Sequence, residues 1–459
     1  MTLPAFISSS LEQEAQALLT RLGRVKSFAL QETMVPAAGL LPESQIAIER
    51  VLTGGRRGLH EQAADFLGWL KSPAGKGASA EEAHRRFIFL RLQFNAVLNK
   101  FDLFNDVITQ RSEHETGVWL SGLDVASADA LHLPGGYYQA PPVICYLDRG
   151  VGAAIRRART RLPGGGENPV AVIRVPRERM IGHGIASSLF HEVGHQAAAL
   201  LDLVASLRPE LRAQAASGSA QQAWQLWERW ISEIVADFWS VARVGVASTL
   251  GLMSVVGLPR PFVFRVDTED PHPAPWIRVK LSAAIGRALY PHPQWDRVES
   301  QWNAYYPLTG LEAEKAELLQ RLQAHIPTFI NLLVNHRPKS LRGRALKEVM
   351  AIEERQPVRL QGLYQTWRRQ PEQMYRAPPT LVFAVIGQAR ADGHLSPEDE
   401  SKVLGKLLTH WALRSTLEVS AACALRQISQ PVLQKPVSYK PVSYKPISYK
   451  PMLSLGSGG

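Results

Sequence analysis

Two histidines four residues apart with a glutamate beside the first, His191-Glu192-Val193-Gly194-His195, are the residues of this chain best arranged for chemistry. On a helix that spacing puts both imidazoles on one face. Two neutral ring nitrogens there suit a single zinc ion at ~2.0 Å. Glu192, one residue along, leans toward the open ligand position, where it would act as a general base on an activated water. The metal still needs a third protein ligand. The next long apolar pattern, marked by Trp227, Trp230, Ile231, Ile234 and Phe238, offers Glu233 and Asp237 four residues apart on one stripe. Leu226, Trp230 and Val244 fall near that stripe by helical angle. Both carboxylates are therefore expected to be at least partly buried, where each needs a metal or a hydrogen-bond donor. One zinc ion per chain is the expected cofactor, with no organic cofactor beside it.

HExxH followed on a later helix by ExxxD resembles the pattern of the gluzincin zinc metallopeptidases. That resemblance implies His191, His195 and Glu233 as zinc ligands, Glu192 as general base, and Asp237 as the acceptor that orients a ligand histidine through its other ring nitrogen. Further along, Asp270-Pro-His-Pro-Ala-Pro-Trp-Ile-Arg278 is similar to the His-Pro followed six residues later by arginine in the HtpX-like and CAAX-prenyl-protease-like branch. The similarity implies that His272 faces the zinc and stabilises a developing oxyanion. It also implies that Arg278 holds the ligand helix or contacts substrate. Read from the residues alone, the same segment is a proline-rich turn with a buried histidine, and both readings stand at this point. The resemblance spans His191 to Arg278. Those relatives are membrane enzymes, whereas the longest membrane candidate here, Val244 to Pro259, is short, holds three glycines and ends in proline. It reads as a buried helix and loop, so only the catalytic core carries over.

The elements that must position these residues are mostly helical. Ser9 and Glu12 have capping-box spacing ahead of an apolar pattern that stops near Gly23, and a further helix follows Ser79 through Phe87, Leu90, Phe94 and Leu98 toward Ile108. After the Leu133-Pro134-Gly135-Gly136 turn, Val143–Leu147 and Val170–Val175 read as strands flanking an arginine-rich helix. Val170–Val175 is the expected edge for pairing with an extended peptide. The HExxH helix is expected from about Gly184 to Leu203, and Ser396-Pro397 reads as an N-cap and first helical residue. The fold class is mainly α with a small β-sheet, a zincin-like core flanked by helical regions. The expected divisions are a helical region 1–133, the metallopeptidase core 134–300, a helical domain 301–428 and an extended tail 429–459.

With 459 residues, 45% hydrophobic and 20% charged, the chain has an ordinary globular composition, and two distant cysteines exclude a disulfide framework. The start shows no signal peptide, so a cytoplasmic location is expected, with non-classical export as the other route. The net charge is +11, but four lysines and no acid in Pro431–Gly459 leave +7 for the other 430 residues. A second basic cluster runs from Arg149 to Arg179 and reads as a solvated face with no specific nucleic-acid partner. The tail repeats Lys-Pro-Val-Ser-Tyr from Lys435, closing at Gly459, and proline every fifth residue favours an extended tether or a multivalent ligand. The expected function is a soluble zinc endopeptidase acting on a peptide or protein substrate, docked to a larger assembly through Lys435–Gly459. The alternative is a non-catalytic adaptor with a structural zinc site.

Overall fold

The computed structural model describes residues 2–24, 34–149, 152–163, 165–177, 182–216, 220–267 and 269–429. The described residues are mainly helical with one three-stranded sheet, as the apolar periodicities require. Ahead of the sheet come α1 (Ala5–Arg24), α2 (Pro42–Lys71), α3 (Pro73–Lys76), α4 (Ala80–Thr109) and α5 (His114–Leu131). Ser79 caps α4, accepting from the Glu82 amide at 3.1 Å. The first helix departs from expectation. It begins on the Pro4 carbonyl, which accepts from the Ile7 and Ser8 amides, so Ser9 and Glu12 lie inside α1 rather than at its mouth.

The sheet comprises β1 (Val143–Asp148), β2 (Ala154–Arg156) and β3 (Ala171–Pro176), in the order β1-β3-β2. β1 runs parallel to β3 and β2 antiparallel to it, with Ile155 opposite Ile173. The arginine-rich segment is therefore a short strand and turns, not a helix. Pairing Ile155 on β3 buries apolar surface that a solvated helix would expose, and the glycines on either side break helical periodicity. β3 is consequently the central strand, so the peptide-pairing edge expected on it does not exist. Side chains alternate across the sheet. Ile144 and Val172 enter a core formed with α1, α2 and α4, while Val143, Cys145, Leu147, Ile173 and Val175 enter the larger core on the other face.

The outer edge of β1 is closed by side chains. Arg111 donates to the Cys145 carbonyl and Asp124 accepts from the Cys145 amide, both at 2.7 Å, while the Gln110 amide group bonds both backbone groups of Leu147. Arg111 and Asp124 are themselves a buried ion pair.

After the sheet the helices are α6 (His183–Leu200), α7 (Leu203–Ala216), α8 (Gln221–Val244), α9 (Val246–Val256), α10 (Arg260–Val263), α11 (Pro275–Leu289), α12 (Gln294–Tyr305), α13 (Ala313–Asn335), α14 (Pro357–Arg369), α15 (Pro371–Arg376), α16 (Pro379–Ala391) and α17 (Pro397–Ser429). Met1–Val419 form one compact unit and Ser420–Gly459 another. The Val244–Pro259 run is largely the buried helix α9. Among the described residues no helix is long and apolar enough to cross a membrane. At α17 the Ser396 hydroxyl accepts from the Asp399 amide ahead of Pro397. The Lys435–Gly459 repeat lies outside the described residues.

Candidate metal centre

The centre is built where α6, α8 and α11 meet. The chain enters α6 through Gly182 at φ 82°, ψ −163°, a conformation open to glycine alone. Three turns further on, Gly194 sets the spacing between α6 and α8. A Cβ there would lie 2.8 Å from both the Cα and the carbonyl oxygen of Ala236 and 2.9 Å from the Trp239 Cβ. Only glycine permits this approach, and the approach sets Glu233 and Asp237 against the two histidines of α6. Trp227, Trp230 and Trp239, all fully buried, hold α8 from its other sides. The Trp230 ring N–H donates to the Asp270 carbonyl at 3.2 Å, anchoring the turn that carries His272. Pro275 then opens α11 at its first position, which projects Arg278 inward one turn later.

The seven residues singled out in the sequence converge. His191 Nε2 lies 3.2 Å from Glu233 Oε2, and His195 Nε2 lies 3.3 Å from Glu233 Oε1. One ligand atom from each of His191, His195 and Glu233 falls within 4.8 Å of the others, so the three can hold a metal ion. Each histidine faces a different oxygen of the Glu233 carboxylate, so the carboxylate spans the two rings. His191 Nδ1 is 2.7 Å from Asp237 Oδ1. Arg278 donates to both Asp237 oxygens, at 2.7 and 2.9 Å. Glu192 is buried, yet makes no hydrogen bond or ion pair with the described residues.

His272 occupies a proline-rich turn as the residues alone suggested, but it is not buried: its side chain is 53% exposed, with Nε2 3.5 Å from Glu233 Oε2. Its Nδ1 bonds Asp270 Oδ1 at 2.7 Å, and the same oxygen accepts from the His272 amide. Arg278 grips Asp237 and also lies 3.5 Å from Glu233 Oε2, tying α11 to α8. Asp270 and Ser232, whose hydroxyl lies 3.4 Å from His195 Nδ1, were not assigned roles from the sequence. For Asp270 the spacing of two residues from His272 was a usable signal; for Ser232 there was none, because its contact depends on how α6 crosses α8.

The charges are strongly coupled. Burial opposes a proton on His191, but the Asp237 carboxylate first and then Glu233 outweigh it and raise the pKa to about 10. Burial likewise opposes ionisation of Asp237, yet Arg278 and His191 pull it down to about 2. Glu233, against its own burial, is held well below the usual carboxylate range by hydrogen bonds from both histidines.

Comparison with family models, curated proteins and solved structures finds no match to this chain.

Proposed function

We propose that this protein is a zinc-dependent endopeptidase in which His191, His195 and Glu233 hold the metal and Glu192 is the general base. The observation that carries the reading is the grouping of the two histidines and Glu233 within 4.8 Å, beside the buried Glu192 carboxylate, which makes no hydrogen bond with the described residues. Bound zinc would supply Lewis-acid polarisation of the scissile carbonyl and acidify a water at the open position.

The chain's own residues supply the rest. Glu192 takes the proton of the attacking water at its carboxylate and passes it to the leaving amine. Asp237 accepts from His191 Nδ1–H and so fixes the tautomer that presents Nε2. Arg278 is a positioning residue: its two hydrogen bonds keep Asp237 ionised and aimed. His272, at the rim, is placed to contact the oxygen that gains negative charge. The gluzincin resemblance of HExxH and ExxxD supports the same assignment. The Lys435–Gly459 repeat would dock the enzyme to a larger assembly through several copies of one short motif.

The test is Glu192→Gln in the full chain. Zinc content is expected to stay at one per chain while hydrolysis of a peptide library falls by about 10²-fold or more. Unchanged hydrolysis removes Glu192 as the base. A wild-type protein that takes up no zinc when zinc is offered removes the whole reading and puts the adaptor alternative first.

A further inference from the structure

The flank of the metal centre that carries Glu192 also carries a run of exposed arginines. The Ala158 amide donates to Gln196 Oε1 at 2.8 Å, and Gln196 lies one turn beyond Glu192 on the same face of α6. This bond ties the segment following β2 to that flank. Arg156, Arg157, Arg159 and Arg161 are all exposed there. Arg159 donates to the Gln139 carbonyl, whereas Arg156, Arg157 and Arg161 have no ion pair among the described residues.

The nearby acids offset this charge only in part. Asp148 faces Arg174 at 3.6 Å, and Glu167 stands opposite Arg161 across an antiparallel bridge without forming an ion pair with it. On the other side of the centre Asp267, Glu269 and Asp270 are each engaged, by Arg265, Arg229 and His272. The strand geometry favours the same flank. β1's outer edge is closed by Arg111, Asp124 and Gln110, whereas β2 is the other edge of the sheet; the Asn168 amide group already takes the Arg156 and Arg157 carbonyls there, so a chain lying along β2 is met by the arginine side chains rather than by those carbonyls.

We propose that the chain bound along this flank is an acidic peptide, with Arg156, Arg157 and Arg161 as the specificity-determining residues. The link to cleavage rests on the peptidase reading; the binding does not.

The experiment uses the zinc-loaded full-length Glu192→Gln protein and two labelled peptides of one length, with Glu or Gln at alternate positions, in fluorescence anisotropy. Three exposed charge pairs together predict about tenfold tighter binding of the Glu peptide at low salt, fading as ionic strength rises. The triple variant Arg156→Gln, Arg157→Gln, Arg161→Gln, with zinc content and circular dichroism unchanged, is expected to lose that preference. Equal affinities for the two peptides, or a preference that survives in the triple variant, overturn the proposal. So does a single-stranded oligonucleotide of equal charge that binds as tightly, because the patch would then be a general polyanion surface. Preferential binding of the Glu peptide with no cleavage of either peptide by the wild type overturns the peptidase reading and leaves the acidic-peptide site standing.

Discussion

Gly194→Ala separates the packing that builds the metal centre from the ligands themselves. The added Cβ would meet Ala236 at 2.8 Å and Trp239 at 2.9 Å, against ordinary contacts of about 3.4 Å or more, so α6 and α8 must part by roughly 0.6 Å. Overpacking of this kind costs about 1–3 kcal/mol. Alanine returns about 0.8–1.0 kcal/mol in helix propensity, so the net loss of stability is about 0–2 kcal/mol. For a unit of this size that moves the melting midpoint by only about 0–2 °C. Metal affinity is the sensitive readout. The Glu233 oxygens lie 3.2 and 3.3 Å from the ring nitrogens, and a shift of roughly 0.6 Å changes both spacings. Competition with a chromophoric chelator is expected to show zinc binding weakened by about 10–100-fold, the range found when a ligand's support is disturbed. Gly58→Ala, in α2 with nothing within 4 Å of the new Cβ, is the control and should gain stability without touching zinc. Wild-type zinc affinity in Gly194→Ala would show that the α6–α8 approach does not set the ligand spacing.

Asp237→Asn keeps an acceptor for His191 but loses the charge that Arg278 grips, and zinc affinity is expected to fall about 10–100-fold by the same competition assay; an unchanged value would remove Asp237 from the orienting role. Asp124→Ala strands the buried Arg111 guanidinium and uncaps the Cys145 amide, a loss of about 3–5 kcal/mol read as a lower urea midpoint. A loss below about 1 kcal/mol there would mean the pair is relieved by solvent.

What the sequence determined was the local chemistry. His191 and His195 share a face because a helix repeats every 3.6 residues, and Glu233 and Asp237 share one for the same reason; the apolar positions around them name the helices without any knowledge of their partners. The strands Val143–Leu147 and Val170–Val175 were legible because a buried strand reads as a short continuous apolar run. What failed was whatever depends on a neighbour. The arginine-rich segment lacks a period of its own, and its state was decided by the open side of β3, which draws Ile155 into register. The same pairing moved the free edge from β3 to β2. The start of α1 was decided by Pro4, a stronger signal than the capping-box spacing that begins five residues later at Ser9. The tertiary structure alone decided that the two helical faces meet. That meeting requires Gly194 against Ala236, Asp237 held by Arg278 from a third helix, and His272 carried to the rim by a turn anchored on Trp230. The sequence repeats within an element and so specifies its faces; which faces touch is set by side-chain volume and buried charge summed over elements far apart in the chain.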